Sequence, residues 1–289
     1  MTDVSRVLVA GGSGLIGREV VALLKSRGCF VRTLSKDPRR AKVLESIAHE
    51  VRVADATRPL GLSGVCDGID VVVSALGAPI SPSSLARASY LETDLVANLA
   101  LLDAARNAKV RRFVYVSVHS EPGYAQTRYR RAHAEFEGAL RRSGLEWGIV
   151  RPTGVFGAFV EMLPMARLGL MPLIGDGSAR SNPIHEKDVA GRVVSIALGA
   201  SREATEDVGG PEILTRREIA ELAFRAVGRK ARFVKTPPAV MRLSARTIGL
   251  FNPRAGDFLD FIIPASLADC VAPGCGELTL GPYLAAKAT

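Results

Sequence analysis

VAGGSGLIGREVVALLKSRG, residues 9–28, decides how this chain is read. Gly11, Gly14 and Gly17 recur at every third position between an apolar run, RVLVA (6–10), and an amphipathic one. In the second run Leu15, Ile16, Val20, Leu23 and Leu24 fall at helical spacing, and Gly28 follows as the expected cap. A buried strand, a glycine turn and a helix in that order form a cradle for a nucleotide pyrophosphate. Gly11 permits the tight turn, Gly14 lets the backbone approach the phosphates, and Gly17 lets helix and strand pack closely. Gly12, Ser13, Leu15 and Ile16 complete the loop, whose free amides and positive helix end face the anion.

Outward from this turn the strand–helix rhythm repeats. FVRTLS (30–35), VRVAD (51–55), DVVVSAL (70–76), RRFVYVS (111–117) and WGIVRP (147–152) are expected strands. Helices are expected over 38–48, 92–107 and 126–143. The alternation predicts an α/β fold: a Rossmann-like, doubly wound parallel sheet with a smaller C-terminal substrate-binding lobe. The expected division is a dinucleotide-binding domain over 1–155 and a lobe over 156–289 partly interleaved with it. Right-handed crossovers gather the loops after the strands into one crevice, bordered by residues 11–17, 35–40, Asp55, 74–77, 117–120 and 152–154.

The end of the second strand selects the dinucleotide. It reads TLSKDPRR, so Lys36, Arg39 and Arg40 are placed to meet the 2′-phosphate of NADP. Asp37 has two readings: it binds the ribose of NAD, or it caps the helix starting at Pro38. The cations favour NADP, with NAD the lesser alternative.

Taken together, GGSGLIG, SKDPRR, VVSALG, DLVANLALLDAARNAKVRRFVYVS, EFEGALRRSGLEWGIVRPTGVFG and GDGSARSNPIHEKDVA resemble the atypical and extended short-chain dehydrogenase/reductase superfamily, in its NmrA-like NAD(P)-binding branch. GGPEILTRREIAELAF also looks like the divinyl chlorophyllide reductases. The resemblance implies NADPH in the crevice. It places Asp55 and Ala56 near the adenine, Ala75, Leu76 and Gly77 along the cofactor, and Pro152 and Thr153 near the nicotinamide.

Dehydrogenases of this superfamily use a Tyr-x-x-x-Lys pair with a Ser or Thr, the lysine lowering a phenol that otherwise titrates near 10. The matching stretch, YRRAHAEFEGAL, has Tyr129 but puts His133 where the lysine belongs. Protonated, His133 would stabilise a phenolate; neutral, it would still meet a ribose hydroxyl. Both side chains also fit an inner helix stripe with Phe136 and Leu140. Ser117 ends the fifth strand, and by the resemblance the serine role falls on His119, a candidate general acid. His185 is expected to be structural, bonded to Asp188.

These residues imply an NADPH-dependent oxidoreductase that passes hydride to a carbonyl or activated double bond of a small, largely apolar molecule. The loss of the lysine favours an alternative, an NmrA-like redox sensor that binds NAD(P) without turnover. A third is a non-redox isomerase or cyclase on the same scaffold. Phe156, Phe159, Met162 and Leu163 are the expected pocket lining, together with residues 236–263, which would cover the pocket or make a subunit contact, core packing being the plainer reading.

Composition narrows the rest. The 289 residues are 47% hydrophobic and 23% charged, enough for a full core. No apolar run approaches the roughly 20 residues of a membrane span, and the N-terminus lacks a leader layout, so a cytoplasmic protein without a membrane partner is expected. Cys29, Cys66, Cys270 and Cys275 form no CxxC pair, and no metal site is expected. The formal charge of +9 is spread along the chain with no nucleic-acid motif; a small-molecule substrate is the expected partner, and the chain a monomer or homodimer.

Overall fold

The computed structural model describes residues 4–77, 90–122 and 126–289. The chain alternates β1 (Arg6–Ala10), α1 (Leu15–Ser26), β2 (Phe30–Ser35), α2 (Pro38–Leu44), β3 (Glu50–Val53) and β4 (Val71–Ser74). It continues with α3 (Val96–Asn107), β5 (Arg112–Val116), α4 (Arg128–Arg141) and β6 (Glu146–Pro152). Next come α5 (Phe156–Phe159), α6 (Met162–Leu168), β7 (Met171–Ile174), β8 (Arg180–Ser181), α7 (Glu186–Leu198) and β9 (Glu203–Val208). The last elements are β10 (Leu214–Thr215), α8 (Arg216–Ala226), β11 (Phe233–Thr236), α9 (Pro238–Phe251), α10 (Pro253–Leu267) and α11 (Leu280–Ala288).

Seven strands form one parallel sheet in the order β3-β2-β1-β4-β5-β6-β9. The α/β, Rossmann-like fold class expected from the sequence is therefore the observed one. The order reverses between β1 and β4, where Val7 is in register with Val31 on one side and Val71 on the other. In such sheets the crevice beyond the strand ends at this reversal is where ligands bind.

Alternation along the strands divides the core in two. Val7, Val9, Val71 and Val73 pack under α1 and α7 with Val20, Leu24, Val189 and Val193. Leu8, Val72, Phe113 and Tyr115 face the other way, against Leu101, Phe136 and Leu140 of α3 and α4. A third cluster, built on Phe156, Leu163, Met171, Phe224 and Leu284, holds α5, α6, α8 and α11 together. Two small sheets accompany it, β7 parallel to β11 and β8 antiparallel to β10. From the C-terminal half, α7 and β9 return to the main sheet.

Some boundaries differ from expectation. Helix α2 stops at Leu44, not 48, and β3 ends at Val53, so Asp55 lies in the following loop. Helix α3 is preceded by a wide turn, Leu91–Leu95, with π-type bonding.

Candidate functional site

The glycine turn is built as the spacing requires. Gly11 has φ +83°, and a Cβ there would lie 2.5 Å from the carbonyl oxygen of Ala75 on the β4 side. A Cβ on Gly17 would collide with the Gly11 carbonyl oxygen, so only glycine lets α1 start this close to β1. The Gly14 amide donates to the Gly11 carbonyl at 2.9 Å. Gly14 itself is the N-cap of α1 and has ordinary extended torsions, and no side chain among the described residues caps the helix. The first-turn amides of α1 thus lack a side-chain acceptor, the arrangement that receives an anion. Gly12 rests on Thr33, whose hydroxyl donates to the Val9 carbonyl at 2.9 Å. Ser13 is half-buried, Leu15 is exposed, and Ile16 packs against the core.

At the end of β2, Asp37 takes the capping role of its two readings. Its carboxylate accepts from the Arg39 amide at 2.9 Å and lies 3.7 Å from Arg40. Lys36, Arg39 and Arg40 are exposed around it. Asp55 accepts from the amide and hydroxyl of Thr57 at 3.0 and 2.7 Å, and these bonds hold its carboxyl below the usual range. Ala56 beside it is buried. Ala75 and Leu76 are half-buried and Gly77 exposed. Their loop is held by Asn98, which the sequence reading missed: it pairs with the Ser74 hydroxyl at 2.5 Å and donates to the Leu76 carbonyl at 3.4 Å.

The expected proton-transfer group is assembled differently. Tyr129 and His133 do share a face of α4, with ring centroids 4.7 Å apart. Burial pushes the Tyr129 phenol well above its usual value, among the rings of Tyr90, His133 and Phe261. Burial, aided by the nearby Arg130 cation, lowers His133 to about 4. An imidazole that is neutral at physiological pH cannot supply the positive charge that the missing lysine would give. This corrects the expectation of a protonated His133 beside a phenolate. Instead its Nδ1 is hydrogen-bonded to the Tyr115 hydroxyl at 2.7 Å, and its Nε2 is buried with no hydrogen-bond partner among the described residues.

Ser117 is committed elsewhere. Its hydroxyl donates at 2.6 Å to Glu137, a buried carboxylate that Arg151 also grips with two bonds. Burial alone would raise Glu137, but the bonds from Arg151 and Ser117 outweigh it and hold the carboxyl below its usual range. The sequence did signal this pair: Glu137 follows His133 by four residues, and Arg151 precedes the proline that ends β6. His119 lies between two carboxylates, with Nδ1 2.8 Å from Asp207 and Nε2 3.2 Å from Glu121. Pro152 and Thr153 are buried, and the Thr153 hydroxyl donates to the Asn182 carbonyl at 2.5 Å.

One further expectation is corrected. His185 is structural, but its Nδ1 accepts from the Lys187 amide at 3.0 Å as the cap of α7 and does not bond Asp188. Of the expected pocket lining, Phe156 and Leu163 are buried in the third core cluster, and Phe159 and Met162 are half-buried against it. The four thiols are free, and burial drives Cys66 up to about 12. No cluster of ligands that would hold a metal occurs among the described residues.

The buried, unpartnered Nε2 of His133 and the open amides of α1 both fit a dinucleotide. Residues 11–198, well over half the chain, match the sequence model of a family described as NAD(P)H-binding. The (4-alkanoyl-5-oxo-2,5-dihydrofuran-3-yl)methyl phosphate reductase of Streptomyces griseus is 30% identical over 78% of this chain and 76% of its own. A photosystem II assembly factor, Ycf39 of Trieres chinensis, is 25% identical over 85% of this chain and 76% of its own. The NADPH complex of the quinone oxidoreductase QOR2 of Escherichia coli has the same fold, with a TM-score of 0.77 over 97% of this chain and 99% of that one at 17% identity. No helix among the described residues is long and apolar enough to cross a membrane.

Proposed function

For this chain, which belongs to the NAD(P)H-binding family, we propose the activity of an NADPH-dependent reductase. It passes hydride to a carbonyl or activated double bond of a small, largely apolar molecule. The observation that carries the reading is the α1 N-terminus: an uncapped first turn on a glycine loop that admits no Cβ at Gly11 or Gly17. Asp37, tied to its helix cap, leaves Lys36 and Arg39 to hold a 2′-phosphate. Ala75, Leu76, Gly77 and Pro152 would follow the cofactor across the switch point, and His133 Nε2 would meet the nicotinamide ribose. The bound nicotinamide supplies the hydride.

The chain's own residues must then furnish the proton. Tyr129 is raised out of range, His133 is neutral and Ser117 is bonded to Glu137. We assign the role to His119, which two carboxylates orient at the end of β5. The experiment is a screen of ketones and enones for loss of NADPH absorbance, repeated with H119Q. Turnover by the wild type and its loss in H119Q support the assignment.

The commitment of three of the four candidate groups also favours a second reading, a redox sensor that binds NAD(P)H without turnover. Cofactor that is never oxidised by any acceptor, with a protein that co-purifies, would favour this reading over the first.

A further inference from the structure

Between Glu221 and Asp257 the sequence contains no acidic residue, while cations recur throughout. Arg229, Lys230, Arg232, Lys235, Arg242 and Arg246 are all exposed. In the middle of this stretch lies α9, which has no buried residue at all. Its inner side is pressed against α10, where a Cβ on Gly256 would lie 2.6 Å from the Gly249 Cα and 3.4 Å from the Ala245 carbonyl oxygen. Met241, Ala245 and Gly249 occupy that side at helical spacing.

The opposite side is apolar and faces outward. Val240, Leu243, Leu250 and Phe251 are exposed, the last three to 64%, 82% and 83%. Residues 236–263 are thus divided: α10 carries buried residues, and α9 carries none. Arg242 and Arg246 flank the stripe on one edge. A helix whose apolar stripe points to solvent, edged by arginines and without acids, has the make-up of one lying in the plane of a bilayer.

We infer that α9 docks this protein on an anionic lipid surface. The apolar side chains would enter the acyl boundary, and the cations would meet phosphate headgroups. Charge selects this occupant over others. A second copy seated on the same face would bring two acid-free arginine-bearing segments together. A nucleic acid would satisfy the cations but leave Leu243, Leu250 and Phe251 against phosphates. A surface helix needs no span, so the inference is compatible with the absence of a crossing helix among the described residues. It also places the lipid beyond α10, whose Phe261 touches Tyr129 at a centroid distance of 4.9 Å.

The test is flotation of the full chain with vesicles of phosphatidylcholine alone or mixed equally with phosphatidylglycerol. Binding to the mixed vesicles only, weakened by salt, is the expected result. R242Q/R246Q should reduce it roughly thirtyfold, and L243S/L250S/F251S roughly a hundredfold, with melting temperature and NADPH affinity unchanged in both. No flotation with anionic vesicles, or flotation that the triple variant leaves intact, overturns the inference. So does a dimer that the triple variant splits in ultracentrifugation while flotation is unaltered. Retention on DNA that depends on Arg242 and Arg246 but not on the apolar residues, without flotation, would assign the face to nucleic acid instead.

Discussion

Gly14→Ala separates the ligand role of the glycine turn from its structural role. The torsions at Gly14 are φ −77° and ψ 173°, open to any residue, and an added Cβ would meet only the Gly11 carbonyl oxygen, at 3.2 Å. The residue is exposed. Alanine as an N-cap costs about 0.5–1 kcal/mol relative to glycine. At about 2–4 °C per kcal/mol for a chain of this size, the melting temperature should fall by no more than about 4 °C. The new methyl would stand where the pyrophosphate approaches the first-turn amides. Loss of one charge-assisted hydrogen bond, about 1.5–3 kcal/mol, weakens NADPH binding roughly tenfold to hundredfold. Titration by the fluorescence of bound NADPH, beside a thermal melt, reads both quantities. Gly17→Ala is the control: its Cβ meets main chain, so it should lower stability outright. A Gly14→Ala protein that melts normally and binds NADPH as tightly as the wild type would refute the placement of the phosphates on this turn.

Other outcomes follow from the same geometry. K36A/R39A should weaken NADPH roughly a hundredfold and leave NADH unchanged, measured by competitive titration. Y129F should retain its rate within about threefold, whereas H119Q should lose about a hundredfold in kcat. His133 is held at about 4 in the fold against its ordinary 6.5, so between those values only the unfolded chain takes up its proton. Stability therefore falls as pH drops through that window, by up to about 3 kcal/mol, and denaturation curves of H133Q should lack this part of the slope. Arg112 is buried and donates to Glu146 and to the carbonyls of Ile196, Ala197, Gly199 and Ser201. R112M should cost about 3–5 kcal/mol, seen as a large fall in melting temperature.

The sheet was readable where strands are buried on both faces. Runs such as VVV at 71–73 and RFVYV at 112–116 are near-continuous apolar segments, as parallel central strands are. Strand β9, EATEDV, escaped because it lies at the sheet edge, carries three acids and has no apolar run. Pairs β7–β11 and β8–β10 are too short to signal a period, and tertiary contacts alone define them. In the site, the glycine positions were legible because backbone geometry dictates them locally, whereas Asp37 kept two readings until its bond to the Arg39 amide decided for the cap. The charge states of Tyr129 and His133 were not. They follow from burial under Tyr90 and Phe261, residues remote in sequence. The outward face of α9 was hidden for a similar reason: an apolar stripe looks the same in sequence whichever way it points.

In the reading proposed above, the turn at residues 11–17 holds a pyrophosphate while Lys36 and Arg39 hold a third phosphate. Calorimetric titration of the unaltered protein with NADPH and with NADH decides this. Heat and a thermal upshift are expected with both, with NADPH bound roughly tenfold or more tightly. No heat and no upshift with either dinucleotide would contradict it.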